Sequence, residues 1–311
     1  MKVGIVGAGE VGAACLHSLA LRGSAAEVVL VNRTPERARG NVVDLQYGAL
    51  LGPPVRLSAG GYDDLAGCGV VAVTVGLNER EGGATDRHDP AGRLRLLAKN
   101  AAIYRDVVPR IVKAAPDAIL LVVTDPPDPL ADVAREAAGH DRVLSSGTFL
   151  DSLRLRWHLG RRLDVDPRSV EALVLGEHGT SQVYVWSSAR VGATPIVPSL
   201  IPKATTAAQF RAAVEEDVKF ANIDIIEGTG ASRLGIGVVV ARIVEMIARD
   251  ERAVIPIGSW QERYGVTLSL PSVVGRMGVE RVLEPALSPE EERALEASAG
   301  ALREARRSAR P

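Results

Sequence analysis

The stretch KVGIVGAGEVG, residues 2–12, decides the fold. An apolar, β-branched run ends in Gly7-Ala8-Gly9-Glu10-Val11-Gly12, and helical spacing takes over immediately afterwards. A GxGxxG on its own is a weak signal, because glycine-rich turns are common. Between a strand and a helix it has the context that a dinucleotide-binding turn requires. Gly7 permits the tight turn, Gly9 lets a pyrophosphate approach the backbone, and Gly12 lets helix and strand pack closely. The helix N-terminus then offers unpaired N–H groups and a partial positive charge to phosphates. The competing reading is a plain βα turn.

Working outward, strand and helix alternate through the first half. Apolar runs at 2–7, 27–31, 70–75 and 118–124 have the length and β-branched content of buried parallel strands. Helical patterns fall near 11–22, 35–50, 93–115 and 129–139, with Pro35 in the first turn of the second and Thr34 placed to cap it. That alternation predicts an α/β, doubly wound parallel sheet, a Rossmann domain over residues 1–148. After about residue 150 the pattern changes. A helix near 149–162, strands at 170–175 and 183–190, and helices at 205–228 and 235–249 precede short strands at 253–258 and 266–270. Ser288 with Glu291 reads as a capping box opening a last helix. Residues 149–311 are therefore expected to form a mixed α+β substrate domain, joined without a clean linker.

Composition narrows the class. The 311 residues can bury a substantial core, and a formal net charge of −1 gives no electrostatic reason to expect nucleic acid or an anionic membrane. Two cysteines make no disulfide framework. No apolar run reaches the ~18 residues of a membrane span, and the chain opens directly on a strand, so a cytoplasmic location is expected. Nothing in the residue pattern calls for a metal.

The second strand should deliver its last residue to the adenosine ribose, ~20 residues beyond the glycines. Asn32 stands there instead of the usual acid. A carboxylate would repel a 2′-phosphate and an amide does not. Arg33 adds a planar fork for a phosphate and Thr34 a hydroxyl. The segment also resembles the NRTxxRA stretch of NADP-dependent shikimate dehydrogenases, matched by Asn32-Arg33-Thr34 and Arg37-Ala38. The expected cofactor is NADP, with NAD the alternative. A solvated surface arginine beside an ordinary helix cap is the bland reading.

LGEHGTS, residues 175–181, places His178 between glycines on a loop after a strand. In GTFLDSLR (147–154), Asp151 and Arg154 are three apart on a predicted helix and share a face. An aspartate can hold one ring nitrogen of His178 and leave the other for proton transfer. An arginine one turn on can grip a substrate carboxylate in a bidentate pair.

With GAGEVG, TDPPDPL, GTFLDSLR, LGEHGTS and IIEGTGASRLGIG in order, the chain resembles the L-lactate/malate dehydrogenase family over nearly its whole length. The resemblance implies hydride transfer between nicotinamide and C2 of a 2-hydroxy or 2-oxo acid. It makes His178 the proton donor/acceptor, Asp151 its partner and Arg154 the carboxylate clamp. Arg93, seven residues before Asn100, becomes the carbonyl-polarising arginine. Ser232 takes the place of a threonine beside the substrate, and Val11, Gly76, Thr124 and Ser146 join the cofactor side. A homodimer or homotetramer is implied.

Three departures bear on the substrate. The loop GLNEREGGATDRHDPAG (76–92) is long and resembles that of L-2-hydroxyisocaproate dehydrogenases, with Gly82, Gly83 and Gly92 as candidate hinges. Glu79 lies near the expected discriminating position and would disfavour a second substrate carboxylate. Arg233 and Leu234 replace aromatics that the family often carries near the nicotinamide. The third departure is TDPPD in place of the family's TNPVD, with Asp125 for asparagine. An ionised carboxylate cannot donate a hydrogen bond. About 5 Å from a substrate carboxylate it would cost on the order of 3 kcal/mol at an effective dielectric of ~20. The readings left standing are an NADP(H)-dependent oxidoreductase of a bulky or unusual 2-oxo acid, an ordinary NAD-dependent L-lactate or 2-hydroxyacid dehydrogenase, and a catalytically impaired nucleotide-binding protein of this fold.

Overall fold

In the computed structural model, which describes residues 1–77 and 94–309, the glycine-rich turn follows an interior strand, the third from one edge, of a nine-stranded sheet. Strands β1 (Lys2–Val6), β2 (Glu27–Val31), β3 (Arg56–Gly60), β4 (Cys68–Val73), β5 (Ile119–Val122) and β6 (Val143–Ser145) pair in parallel in the spatial order 3-2-1-4-5-6. That is the doubly wound order whose switch point, between β1 and β4, opens a crevice at the carboxyl ends of the strands. Glu79, Arg93 and the hinge glycines 82, 83 and 92 lie outside the described residues.

Helices cover both faces. Residues of one parity along the strands (Val3, Ile5, Val28, Leu30, Val70, Ala72) pack under α1 (Glu10–Arg22) and α7 (Leu234–Ala248). Their neighbours (Val6, Val29, Val31, Val71, Val73) pack under α3 (Leu94–Ala114) and α4 (Pro127–Ala138). Strands buried on both faces read as unbroken apolar runs, which is why β1, β2, β4 and β5 were visible in the sequence. The edge strand β3, RLSAG, is only half buried and carries no such signal.

The C-terminal half extends the same sheet. The strands expected at 253–258 and 266–270 are longer, β12 (Ala253–Gln261) and β13 (Val266–Gly275), and a further strand, β14 (Gly278–Val282), follows them. Antiparallel β12 meets β6 at Gly258 opposite Ser145. The strand expected over 170–175 divides into β7 (Val170–Glu171) and β8 (Val174–Leu175), and that over 183–190 into β9 (Val183–Tyr184) and β10 (Arg190–Val191). Between β9 and β10 the chain turns so that the Ser187 N–H donates to Glu291 at 2.9 Å, a tertiary contact that overrides the local alternation. Helices α5 (Phe149–Leu163), α6 (Ala207–Thr229) and α8 (Pro289–Ser308) complete the unit with the small strand β11 (Thr194–Pro195). Ser288 and Glu291 form the capping box of α8. Among the described residues no helix is long and apolar enough to cross a membrane.

Candidate active site

The cofactor side is built from the β1–α1 turn. Gly7 has φ +115, and a Cβ on Gly12 would sit 1.9 Å from the Gly7 carbonyl oxygen, so both positions exclude side chains. A Cβ on Gly9 would meet nothing within 4 Å: its face is open to the cleft, beside the first-turn amides of α1. An open backbone face over a helix N-terminus fits a pyrophosphate. The cleft, ≈ 510 Å3, runs from Gly9, Arg33 and Arg37 past Gly76 and Thr124 to Arg154, His178 and Ser232. Val11, Asp125 and Ser146 also line it. The Thr124 hydroxyl donates to the Val75 carbonyl at 2.7 Å and ties the ends of β4 and β5 together.

At the adenosine end the amide of Asn32 is engaged locally. Its Oδ1 accepts the Ala8 N–H at 3.1 Å and its Nδ2 donates to the Thr34 carbonyl at 3.0 Å. Asn32 thus braces the glycine-rich turn against the end of β2. Thr34 occupies the N-cap of α2 (Pro35–Ala49), but its side chain makes no capping hydrogen bond. The hydroxyl expected to add to a phosphate site does not line the cleft, and the guanidinium-bearing Arg33 and Arg37 do.

At the reacting end, α5 carries Asp151 and Arg154 on one face, and the loop after β8 carries His178. Asp151 divides its carboxylate: Oδ2 holds His178 Nδ1 at 2.5 Å and Oδ1 holds Arg154 Nη1 at 3.0 Å. Asp151 is buried, whereas 12% of the Arg154 side chain and 17% of the His178 side chain face the cleft, enough for both to reach a ligand. With Nδ1 held by Asp151, Nε2 is the ring's other nitrogen. On that side lies Asp125, its Oδ1 4.0 Å from His178 Nε2. Asp125 is fixed through its backbone, whose carbonyl accepts from Asn100 Nδ2 at 3.0 Å, while Asn100 Oδ1 accepts the Leu77 N–H at 2.9 Å.

Residues that the sequence did not single out complete the site. Asp128, fully buried in the first turn of α4, accepts the main-chain N–H of His178 at 2.7 Å. Asn222 of α6, itself buried, reaches the cleft wall. Arg233, noted only as a departure, pairs with Glu10 and links the start of α7 to the start of α1 at the cleft. Asp128 comes immediately after Asp125-Pro126-Pro127 and matches the last residue of the TNPVD motif, but only packing shows that it holds the histidine loop. No cluster of potential metal ligands occurs among the described residues.

An open glycine turn at the switch point and a carboxylate-held histidine across the same cleft define a dinucleotide-binding oxidoreductase. The family follows from comparison with known proteins. Residues 1–144 match the lactate/malate dehydrogenase NAD-binding domain, and residues 148–309 match the lactate/malate dehydrogenase alpha/beta C-terminal domain. The chain belongs to the lactate/malate dehydrogenase family. It is 43% identical to an L-lactate dehydrogenase of Deinococcus radiodurans over 304 residues, covering 97% of each chain. It is 41% identical to an L-lactate dehydrogenase of Thermus aquaticus over 310 residues, again covering 97% of each. A solved lactate dehydrogenase from a deep-sea metagenome library of the Medee basin superposes with TM-score 0.89 at 33% identity, covering 98% of this chain and 97% of that one. The minor L-lactate dehydrogenase of Enterococcus mundtii superposes with TM-score 0.90 at 31% identity, covering 99% and 98%.

Proposed function

We propose that the protein interconverts an L-2-hydroxy acid and its 2-oxo acid with a nicotinamide dinucleotide, and that lactate and pyruvate are the first pair to test. The observation that carries this is the divided carboxylate of Asp151, holding the histidine and the arginine of one cleft. The nicotinamide, when bound, supplies or accepts the hydride at C2. Arg154 grips the substrate carboxylate with the guanidinium edge that Asp151 leaves available. His178 donates its Nε2 proton to the oxygen on C2 as negative charge develops there, and takes it back in the reverse direction. Asp151 orients the ring and stabilises the imidazolium. Ser232 lies beside the substrate. Arg93, assigned on the sequence, completes the oxyanion charge, and Glu79 would disfavour a second carboxylate.

The names of the relatives favour lactate over the bulky substrate suggested by the long loop, and the description of the N-terminal family model favours an NAD-type cofactor. A second reading, NADP, has its own observation: Arg33 and Arg37 both line the adenosine end of the cleft, and no acid stands at the end of β2. We further propose a homo-oligomer. Tyr47, Leu50 and Leu51 at the end of α2 are 67%, 84% and 95% exposed, and α7 exposes Leu234 and Val238, an apolar surface suited to a second copy. Cys15 and Cys68 are free and buried, which suits a reducing compartment such as the cytoplasm.

The test follows absorbance of the reduced cofactor with pyruvate and a panel of 2-oxo acids. Consumption with pyruvate is expected. Tight cofactor binding with no 2-oxo acid consumed would overturn the proposal in favour of a nucleotide-binding protein without turnover.

A further inference from the structure

The cleft joins an adenosine end, lined by Arg33 and Arg37, to a reacting end lined by Arg154 and His178. Between them lies the open face of Gly9, where a dinucleotide brings the negative charge of its pyrophosphate. The next residue is an acid. Glu10 opens α1, lines the cleft beside Gly9 and keeps 47% of its side chain exposed. A carboxylate in the first turn of a helix takes the same positive end that a phosphate takes, so Glu10 and a pyrophosphate compete. The partner of Glu10 comes from the other half of the chain. Arg233, 41% exposed, sets its guanidinium on the Glu10 carboxylate, and its neighbour Ser232 lines the cleft.

Both side chains stand on fixed ground. Arg233 is the N-cap of α7, and its carbonyl accepts the Gly237 N–H at 3.0 Å. At Gly237 the two helices touch: a Cβ there would lie 2.7 Å from the Ala14 carbonyl oxygen of α1. The helix starts keep their spacing, and only the two long side chains have room to turn. An ion pair with both partners this exposed is weak, whereas a guanidinium makes strong charge-assisted hydrogen bonds to phosphate. We propose, on the footing that a dinucleotide lies over the glycine turn, that Arg233 is a pyrophosphate ligand which Glu10 holds until the dinucleotide arrives. On binding, the guanidinium exchanges a carboxylate oxygen of Glu10 for a phosphate oxygen. Glu10 is then the competing anion that sets how tightly the dinucleotide is held. Arg33 and Arg37 decide between cofactors at the adenosine end; Arg233 acts on the pyrophosphate that both cofactors share.

The test is calorimetric titration with NADH and with ADP-ribose, which carries the pyrophosphate but no nicotinamide. Arg233→Gln should weaken both by about tenfold, and Arg233→Lys should recover part of the loss. Glu10→Gln should tighten both by about threefold, because an opposing charge beside the phosphates is gone. The opposite signs separate the inference from a simple brace between α1 and α7, which either substitution would break with the same effect. Weaker binding by both variants, or an unchanged affinity in Arg233→Gln, would overturn the inference and leave the dinucleotide site standing. Binding of neither probe by the unaltered protein would overturn both. Glu10 is a half-exposed side chain, so the tightening expected of Glu10→Gln decides the matter even if the arginine variant fails to fold.

Discussion

The carboxylate of Asp128 accepts the main-chain N–H of His178 at 2.7 Å from a position with no solvent exposure. Its other oxygen accepts the hydroxyl of Ser145 on β6. Opposite Ser145 in the sheet is Gly258 of β12, where a Cβ would sit 1.9 Å from the Ser145 Oγ. The histidine loop is thus pinned to α4 and, through Ser145, to the seam between parallel and antiparallel strands. Asp128→Ala should lower kcat at least tenfold with little change in cofactor affinity, because the loop loses its anchor while the glycine turn is untouched. Asp128→Asn, which keeps one acceptor for the His178 N–H, should recover most of that loss. Equal damage by both variants would refute the anchoring role.

The same residue makes stability depend on pH. Burial pushes the Asp128 carboxyl up to about 7, against an ordinary value of 3.8. Between these values the folded protein holds a proton that the unfolded chain has lost, so this group's contribution to stability falls as pH rises from about 4 to about 7. Urea unfolding across that range should show a flatter pH dependence in Asp128→Asn than in the unaltered protein. Parallel curves would contradict the assignment.

Glu245 acts in the opposite direction. Burial on α7 pushes its carboxyl up, but Arg22 and Ser24, each at 2.8 Å, together with Arg242 at 3.2 Å, outweigh that and hold it at about 2. Its stabilisation is present above the ordinary value of 4.5 and is lost as pH falls from there towards 2. Glu245→Gln leaves Arg22 and Arg242 facing a neutral group and should cost about 2 kcal/mol at neutral pH, below the ~3–5 kcal/mol of a fully buried broken pair because Arg22 is 40% exposed. The loss should vanish in acid unfolding. A constant difference at all pH values would show that packing, not charge, is responsible.

His178→Asn should reduce turnover ~10²-fold or more while leaving the dinucleotide bound as before, since the proton carrier goes and the glycine turn lies across the cleft. Retention of more than a tenth of the original rate, with chemistry limiting, would place the proton transfer elsewhere.

Arg33→Ala should separate the two cofactors. If Arg33 and Arg37 receive a 2′-phosphate, the unaltered protein binds NADP at least tenfold more tightly than NAD, about 1.4 kcal/mol, and the variant loses that preference with NAD affinity nearly unchanged. Tighter NAD binding by the unaltered protein would instead fit the NAD-binding domain that residues 1–144 match.

The sequence by itself determined the parallel core and the glycine turn. Buried parallel strands read as apolar runs, and Gly7 and Gly12 answer to local backbone constraints that a motif can carry. It also placed Asp151 and Arg154 on one face, because residues three apart on a helix share it, whereas the ion pair between them emerged only in the folded chain. What lies far apart in the chain, or on weakly patterned edges, was settled only by tertiary structure. The half-buried strand β3 and the charged edge strand β14 lack the alternation that would announce them. The union of β12 with β6 joins residues more than a hundred positions apart, and no local pattern encodes such a pairing. Asn32 shows the limit most clearly. Its position at the end of β2 was legible, but its engagement by Ala8 and Thr34 depends on how β1 and β2 sit side by side. Asp128 and Asp125 are three residues apart in one short run. Packing alone sends the first into the core beneath the histidine and the second to the Nε2 side of the ring, because burial and partner choice are properties of the folded surface around each carboxylate and not of the residues beside it in the chain.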